Sequence, residues 1–212
     1  MPQPALTQAE RTALSDTAMI DAAIDLIVNC GTEKTTLKAL GETSGYSRGL
    51  VTYRFGSKSG LFKAVIKTVS ERWLSAFERA VGSRRGIDAL LRTARAYFRF
   101  VRRSPKDIRA LQILSHQAVE PGCAHVDIVR KVFRAQRGQL AEWVQEGQAQ
   151  GVINQRVDPD VFAASFCAFM SGMTWAWMLG TTDIDFVAAH AAFEQQIRLQ
   201  LEPDAGPDKE KS

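Results

Sequence analysis

Residues 35–64, TTLKALGETSGYSRGLVTYRFGSKSGLFKA, carry the pattern that most restricts how this chain can fold. Apolar residues recur at helical spacing on both sides of Gly45, and a second break follows at Gly56-Ser57. Gly45 permits the positive φ that a reversal within about three residues requires. The segment therefore predicts two short helices joined by a tight turn, and a third helix that begins at Ser57.

The rest of the chain also has helical periodicity, and no stretch alternates as a strand does. Thr7 and Glu10 have the capping-box spacing of a helix start, and Asn29-Cys30-Gly31 predicts the end of that helix. We expect further helices over residues 87–103, 105–118, 126–150, 160–179 and 186–201. The predicted fold class is all-α with about nine helices.

Breaks in the pattern predict the domain organisation. Residues 1–56 form a helix-turn-helix domain, and residues 57–81 form a linking helix. Gly82-Ser83 and Gly86 mark the boundary of a helical domain over residues 82–202. The last residues, 203–212, are rich in Pro, Gly and charge, which predicts a disordered tail.

Positive charge is concentrated in two segments, although the whole chain has a formal net charge of only +4. Residues 47–72 contain six Lys or Arg against one Glu, a net of +5, and residues 84–109 contain nine against two Asp, a net of +7. A confined basic surface is typical of a protein that binds a polyanion such as DNA. For residues 84–109 a solvated helix face is an equal alternative.

The second short helix carries side chains suited to base edges. Ser47 and Arg48 lie at its start, the part of a recognition helix that enters the major groove, and Arg48 can bind a guanine through two hydrogen bonds. Leu50 can contact a thymine methyl, and Thr52 can contact either a methyl or a polar base edge.

Other residues of the segment suit phosphates. Tyr53, Arg54 and Lys58 can donate to phosphate oxygens, and Thr36 opens a helix whose first amides can hold one. Alternatively, Tyr53 packs on the first helix, and Arg54 and Lys58 are only solvated. The predicted DNA-binding site comprises Thr36, Ser47, Arg48, Leu50, Thr52, Tyr53, Arg54 and Lys58.

Other classes of site find little support. The spacing of Cys30, Cys123 and Cys167 matches neither a zinc site nor a disulfide framework. We expect Cys30 and Cys167 to be small buried side chains. Free cysteines fit a protein of the reducing cytoplasm best. We see no nucleophile elbow, His–carboxylate cluster or phosphate loop, so we expect no enzyme, cofactor or metal. Residues 161–179 approach membrane length but lack basic flanks, so a buried or interface helix is favoured over a membrane span.

Residues 19–66 contain an amphipathic helix that ends in Gly, a Thr-Thr pair, a turn Gly followed by Ser, an aromatic-basic-Phe triplet, Ser-Lys and Leu-Phe. These are Gly31, Thr35-Thr36, Gly45, Ser47, Tyr53-Arg54-Phe55, Ser57-Lys58 and Leu61-Phe62. With this set of features the segment resembles the DNA-binding domain of the TetR family of transcriptional regulators. The departures are Tyr46, Gly41, Thr52 and Arg54, which leave open which aromatic residue contacts phosphate.

The resemblance implies that the C-terminal domain binds a small molecule and forms a homodimer through the last two helices. The predicted interface comprises Ala164, Ala168, Ser171, Gly172, Trp175, Val187, His190, Phe193, Glu194 and Ile197. Apolar and aromatic residues on the surrounding helices predict an apolar or aromatic effector, although such residues more often form a core. The predicted contacts are Phe98, Val101, Leu111, Leu114, Phe133, Trp143, Met173 and Trp177.

The leading hypothesis is a dimeric cytoplasmic repressor that a small effector releases from a pseudo-palindromic operator in double-stranded DNA. An all-helical small-molecule carrier is the second, and it leaves the N-terminal motif unexplained. A regulator that activates transcription is equally compatible with the motif.

Overall fold

A computed structural model describes residues 7–181 and 183–203 of the chain. Within these residues it contains nine α-helices and no strand, which confirms the predicted fold class. The predicted tail lies outside the described residues except for Pro203. The helices are α1 (Gln8–Lys34), α2 (Leu37–Ser44), α3 (Arg48–Phe55), α4 (Lys58–Val81), α5 (Gly86–Arg103), α6 (Pro105–Gln117), α7 (Val126–Ala149), α8 (Pro159–Met178) and α9 (Phe186–Leu201).

Short polar side chains start the helices where the sequence predicts. Thr7 and Glu10 form the expected capping box, and Asp158 accepts hydrogen bonds from the first amides of α8. The end of α1 differs from the prediction. Gly31 has φ of 80° and interrupts regular helix, but helical backbone resumes and runs to Lys34.

The chain divides into two compact units. Within the described residues, unit 1 comprises the chain up to Glu71 together with Ser104–Arg130, and unit 2 comprises Arg72–Arg103 and the chain from Lys131. Helices α4 and α7 each contribute residues to both units. The units are therefore not contiguous in sequence, unlike the predicted domains, whose functional boundaries stay a prediction.

Unit 1 includes α6, which the sequence pattern groups with the C-terminal helices. The reason lies in side chains far apart in sequence: α6 packs along α1, and the Lys106 ammonium pairs with the Asp25 carboxylate. Ile108 and Leu114 are buried in this unit with the apolar stripe of α1. Apolar burial of this kind is the main stabilising contribution to the unit.

Unit 2 has a core built from α5, α7, α8, α9 and the end of α4. Aromatic rings form much of it: Phe77 stacks on Trp143 at 5.4 Å between ring centroids, and Phe169 stacks on Phe193 at 3.8 Å. Such contacts add to the free energy that burial of their area supplies.

Helix α8 is apolar on every face, yet the described chain covers only one of them. Phe162, Phe166 and Met170 are buried, whereas a row of apolar residues on the opposite face is exposed. By length and composition α8 is the one helix among the described residues that could cross a membrane, a property that core and interface helices share. We name the exposed row the α8 stripe: Val161, Ala164, Ala168, Gly172, Trp175 and Leu179.

The cysteines differ in environment. The prediction of a buried Cys30 is wrong, because its side chain is exposed near the end of α1. Cys167 is partly buried, and loss of solvent raises the pKa of its thiol to about 11.

Candidate functional site

The turn between α2 and α3 has the predicted geometry. Gly45 adopts the left-handed conformation, with φ of 75°. A Cβ atom on Gly41 would lie 2.9 Å from the Tyr46 carbonyl oxygen, so the absence of a side chain allows this close approach. Leu40 and Val51 are fully buried, which holds the two helices together. Gly45, Gly41 and the two buried side chains therefore meet the steric requirements of a tight turn between two short helices.

One face of α3 is open to solvent. Arg48, Thr52 and Tyr53 are exposed and Leu50 is half-buried, while Val51 faces the core. Tyr53 is 83% exposed, which rules out the alternative that it packs on the first helix. We name Arg48, Leu50, Thr52 and Tyr53 the α3 face.

Two predicted phosphate contacts also have structural partners. The Arg54 Nε lies 2.9 Å from the Asp16 carboxylate on α1, and the Arg54 side chain is only 26% exposed. The Lys58 ammonium donates to the Glu33 carbonyl oxygen at 3.0 Å and lies 5.7 Å from the centroid of the Phe62 ring. An ammonium has three N–H donors, so Lys58 retains donors for a phosphate.

The two hydroxyl residues cap their helices. Thr36 Oγ1 accepts from the Ala39 amide at 3.0 Å, and Ser47 Oγ accepts from the Leu50 amide at 3.2 Å. Both residues are exposed at helix N-termini, where the remaining amides favour an anion. Neither Asp16 nor Glu33 was among the predicted site residues, since contacts between residues far apart along the chain leave no local pattern.

Unit 2 contains a cavity of about 150 Å³ between α5, α8 and α9. Four predicted ligand contacts line it: Phe98, Val101, Met173 and Trp177. Six residues that are not among the predicted contacts complete the wall, together with two that the prediction assigns to the dimer interface. These are Tyr97, Arg102, Phe169, Met170, Thr174 and Phe186, and from the interface prediction Val187 and His190.

The other four predicted contacts do not line this cavity. Leu114 is fully buried in unit 1, where Leu111 also lies. Trp143 stacks on Phe77 inside the core of unit 2, and Phe133 is absent from the wall. Helical spacing gives core and cavity residues the same pattern, so the sequence does not separate them.

Polar groups in the wall are mostly satisfied within the protein. The Thr174 hydroxyl donates to the Met170 carbonyl at 2.8 Å and lies 3.1 Å from the Tyr97 hydroxyl. His190 Nε2 donates to the Ala94 carbonyl at 2.9 Å. The interior of the cavity is therefore predominantly apolar, as is typical of a small-molecule site.

The predicted dimer residues divide into two groups. Phe193 and Ile197 are buried in the core of their own unit, and Glu194 pairs with Arg95, where its carboxylate raises the pKa of the guanidinium by accepting hydrogen bonds. His190 is buried as well and donates to the Ala94 carbonyl of α5. The interface prediction is corrected for these four side chains, which face α5 or the core. Surface for a partner remains at Ala164, Ala168, Gly172, Trp175 and Val187, with Ser171 half-buried.

Comparison with known proteins agrees with this geometry. Residues 19–65 match the family model for bacterial regulatory proteins of the tetR family. The "Probable acrEF/envCD operon repressor" of Escherichia coli K12 is 24% identical over 194 residues, covering 88% of this chain and 86% of that protein.

Solved structures share the fold. A TetR transcriptional regulator from Chloroflexus aurantiacus superposes with a TM-score of 0.77 at 20% identity, covering 91% of this chain and 98% of that one. SmeT, from Stenotrophomonas maltophilia, superposes in its triclosan complex with a TM-score of 0.77 at 17% identity, covering 94% and 100%. The family model, the full-length relative and the helix-turn-helix geometry agree: the chain is a TetR-family transcriptional regulator.

Proposed function

We propose that this regulator is a homodimeric repressor that binds a pseudo-palindromic operator and leaves it when a small apolar or aromatic molecule binds. The observation that carries the DNA-binding part is the α3 face. Arg48, Thr52 and Tyr53 are exposed on a helix that the buried Val51 anchors to the core. A rigid helix with an exposed donor-rich face suits the major groove.

Repression is supported by what the relatives' names state. The Escherichia coli relative is named as an operon repressor, and SmeT is described as the repressor of a multidrug efflux pump. Removal of the regulator's gene should therefore raise expression of the adjacent genes. A fall in their expression would favour the activating alternative. We expect the protein to act in the cytoplasm, where the DNA is.

The dimer is supported by the α8 stripe. Trp175 is 43% exposed, and Val161 and Leu179 are 61% and 63% exposed, on a row otherwise made of small residues. A contiguous exposed apolar row is costly in water unless a partner covers it, and the same row on a second copy can do so about a two-fold axis.

The direct test is selection of bound sequences from random duplex DNA, followed by titration of the enriched site. We expect an inverted repeat bound at nanomolar to micromolar concentrations, with affinity that falls steeply as salt rises. Absence of binding to any duplex at low salt would instead favour the small-molecule carrier. A genome-wide footprint of bound sites would then identify the operators in the cell.

A further inference from the structure

The wall of the unit 2 cavity includes one positively charged side chain, although most of its lining is apolar. Among the residues of its wall, Arg102 is the one with a permanent charge, and no Asp or Glu lines it. The Arg102 guanidinium carbon lies 5.7 Å from the centroid of the Phe98 ring, which is itself part of the wall. The cation is therefore held over an aromatic face of the cavity.

No carboxylate of the described chain neutralises this guanidinium. Within the described residues the Arg102 guanidinium lies over the ring of Phe98 and forms no ion pair, and the residue is exposed to solvent. Two other arginines of α5 are paired, since Arg92 pairs with Asp88 and Arg95 pairs with Glu194. What sets Arg102 apart from the remaining arginines of the helix is its place in the cavity wall. An arginine without an acidic partner at the wall of an apolar cavity is suited to bind a carboxylate from outside.

Two acidic groups that flank the cavity residues are already engaged. Glu194 lines a groove that shares Phe98, Val187 and His190 with the cavity, but its carboxylate accepts from Arg95 at 3.0 and 2.8 Å. Asp185, next to the cavity residue Phe186, accepts from the Val187 and Ala188 amides at 2.9 Å. A cationic ligand would thus find no free acceptor of opposite charge in the wall.

The volume limits the size of the apolar part. A cavity of about 150 Å³ accommodates roughly one benzene ring, as an engineered cavity of similar size does. The rings of Phe98, Phe169 and Trp177 around it favour an aromatic guest through edge and face contacts. The charged part of such a ligand would remain at Arg102, in contact with solvent.

We infer that the effector of this regulator is a single-ring aromatic carboxylate, with its ring in the cavity and its carboxylate on Arg102. The inference rests on the proposed function in treating the cavity as the effector site. It adds the class and orientation of the ligand. Ring burial supplies affinity, and the bidentate guanidinium–carboxylate pair selects an anion over a neutral or cationic molecule of equal size.

The test uses three probes of matched shape: phenylacetate, phenylacetamide and 2-phenylethylammonium. Calorimetric titration of the full chain should give phenylacetate a Kd about tenfold lower than that of the amide, since a charge-assisted hydrogen bond adds about that factor. The ammonium should bind more weakly than the amide. Equal binding of acid and amide, tightest binding of the ammonium, or no binding of any probe at millimolar concentration would overturn the inference.

Variants assign the preference to one residue. Arg102→Gln should abolish the difference between acid and amide by weakening binding of the acid more than binding of the amide, and Arg102→Lys should retain part of that difference. Arg103→Gln is the matched control, because Arg103 is the exposed neighbour on α5 and lies outside the cavity wall. A preference that survives in Arg102→Gln would also overturn the inference.

Operator binding by the unmodified chain is measured in parallel, first without probe and then with phenylacetate or phenylacetamide present. If the chain binds its operator but shows no preference for the acid, the ligand class is wrong and the proposed repressor function stands. If the chain binds no operator, the proposed function fails whatever the probes do. The expected result is operator binding that phenylacetate, and not the amide at equal concentration, weakens.

Discussion

At the scale of single residues, the DNA-binding surface combines side chains with different tasks. Arg48 is exposed on α3 with no structural partner among the described residues, whereas Lys58 also fastens the start of α4 to the Glu33 carbonyl. A side chain free of internal contacts can be read as a specificity determinant. One that already has a structural partner has a stability role as well, and a test must separate the two.

Arg48→Ala should weaken binding to the selected operator by about 1–3 kcal/mol and relax the preference at one base position. Lys58→Ala should weaken binding to all sequences alike and reduce the slope of log K against log salt by about one. Fluorescence anisotropy over a series of salt concentrations measures both. An unchanged slope for Lys58→Ala, in a variant whose melting temperature is unchanged, would contradict the phosphate contact.

Gly60→Ala should destabilise the fold. A Cβ atom at this position would lie 2.0 Å from the Phe55 carbonyl oxygen, and a backbone atom cannot move aside as a side chain can. We expect a loss of about 1–3 kcal/mol in the free energy of unfolding, despite the higher helix propensity of Ala.

Gly49→Ala is the control for that substitution, because the nearest atom to its added Cβ would be Ser47 Oγ at 3.9 Å. It should leave stability unchanged or raise it by up to about 1 kcal/mol. Urea denaturation compares the two variants, and equal stability would refute the close approach at Gly60.

Cys167 should resist alkylation near neutral pH. The thiolate is the reactive form, and burial raises the pKa of this thiol to about 11, so the thiolate fraction is small at pH 8 and grows about tenfold per pH unit below that pKa. Mass spectrometry after iodoacetamide treatment should find the exposed Cys30 modified first. Modification of Cys167 as fast as Cys30 at pH 8 would contradict this.

At the scale of elements, the starts of the helices are the most predictable feature. The starts of α1, α3 and α8 follow from a capping side chain a few residues away from the amides that it satisfies. The resumption of α1 after Gly31 was not predictable from the turn signal alone, since a glycine with positive φ can end a helix or merely interrupt it. Which face of a helix is covered depends on its neighbours, and α8 illustrates this.

A charged substitution in the α8 stripe should separate the subunits. Ala168→Arg adds a cation to an exposed apolar row, and burying an unpaired charge in an interface is costly, so we expect a monomer at micromolar concentration. Ala135→Arg is the control, because Ala135 is exposed on α7, outside the stripe. Sedimentation velocity measures the outcome, and a dimer that persists in Ala168→Arg would refute the proposed interface.

At the scale of the whole molecule, function depends on two α3 faces held at one spacing. A dimer with two-fold symmetry fits half-sites about one helical turn apart, so insertion of about five base pairs between them puts one half-site on the opposite side of the duplex. We expect the affinity to fall to that of an isolated half-site. A site whose affinity survives the insertion would contradict binding as a rigid dimer.

The sequence by itself determined the all-helical fold, the turn at Gly45 and the family, because caps, glycine turns and the motif of residues 19–66 act over a few neighbouring positions. Tertiary structure alone decided that α6 joins unit 1, that Arg54 meets Asp16, and that Phe193 and Ile197 are core. It also decided which apolar residues line the cavity of unit 2 and which residues with the same helical spacing belong to the core. Apolar periodicity predicts that one face of a helix is buried. Which residues cover that face depends on the packing of segments far apart in the sequence.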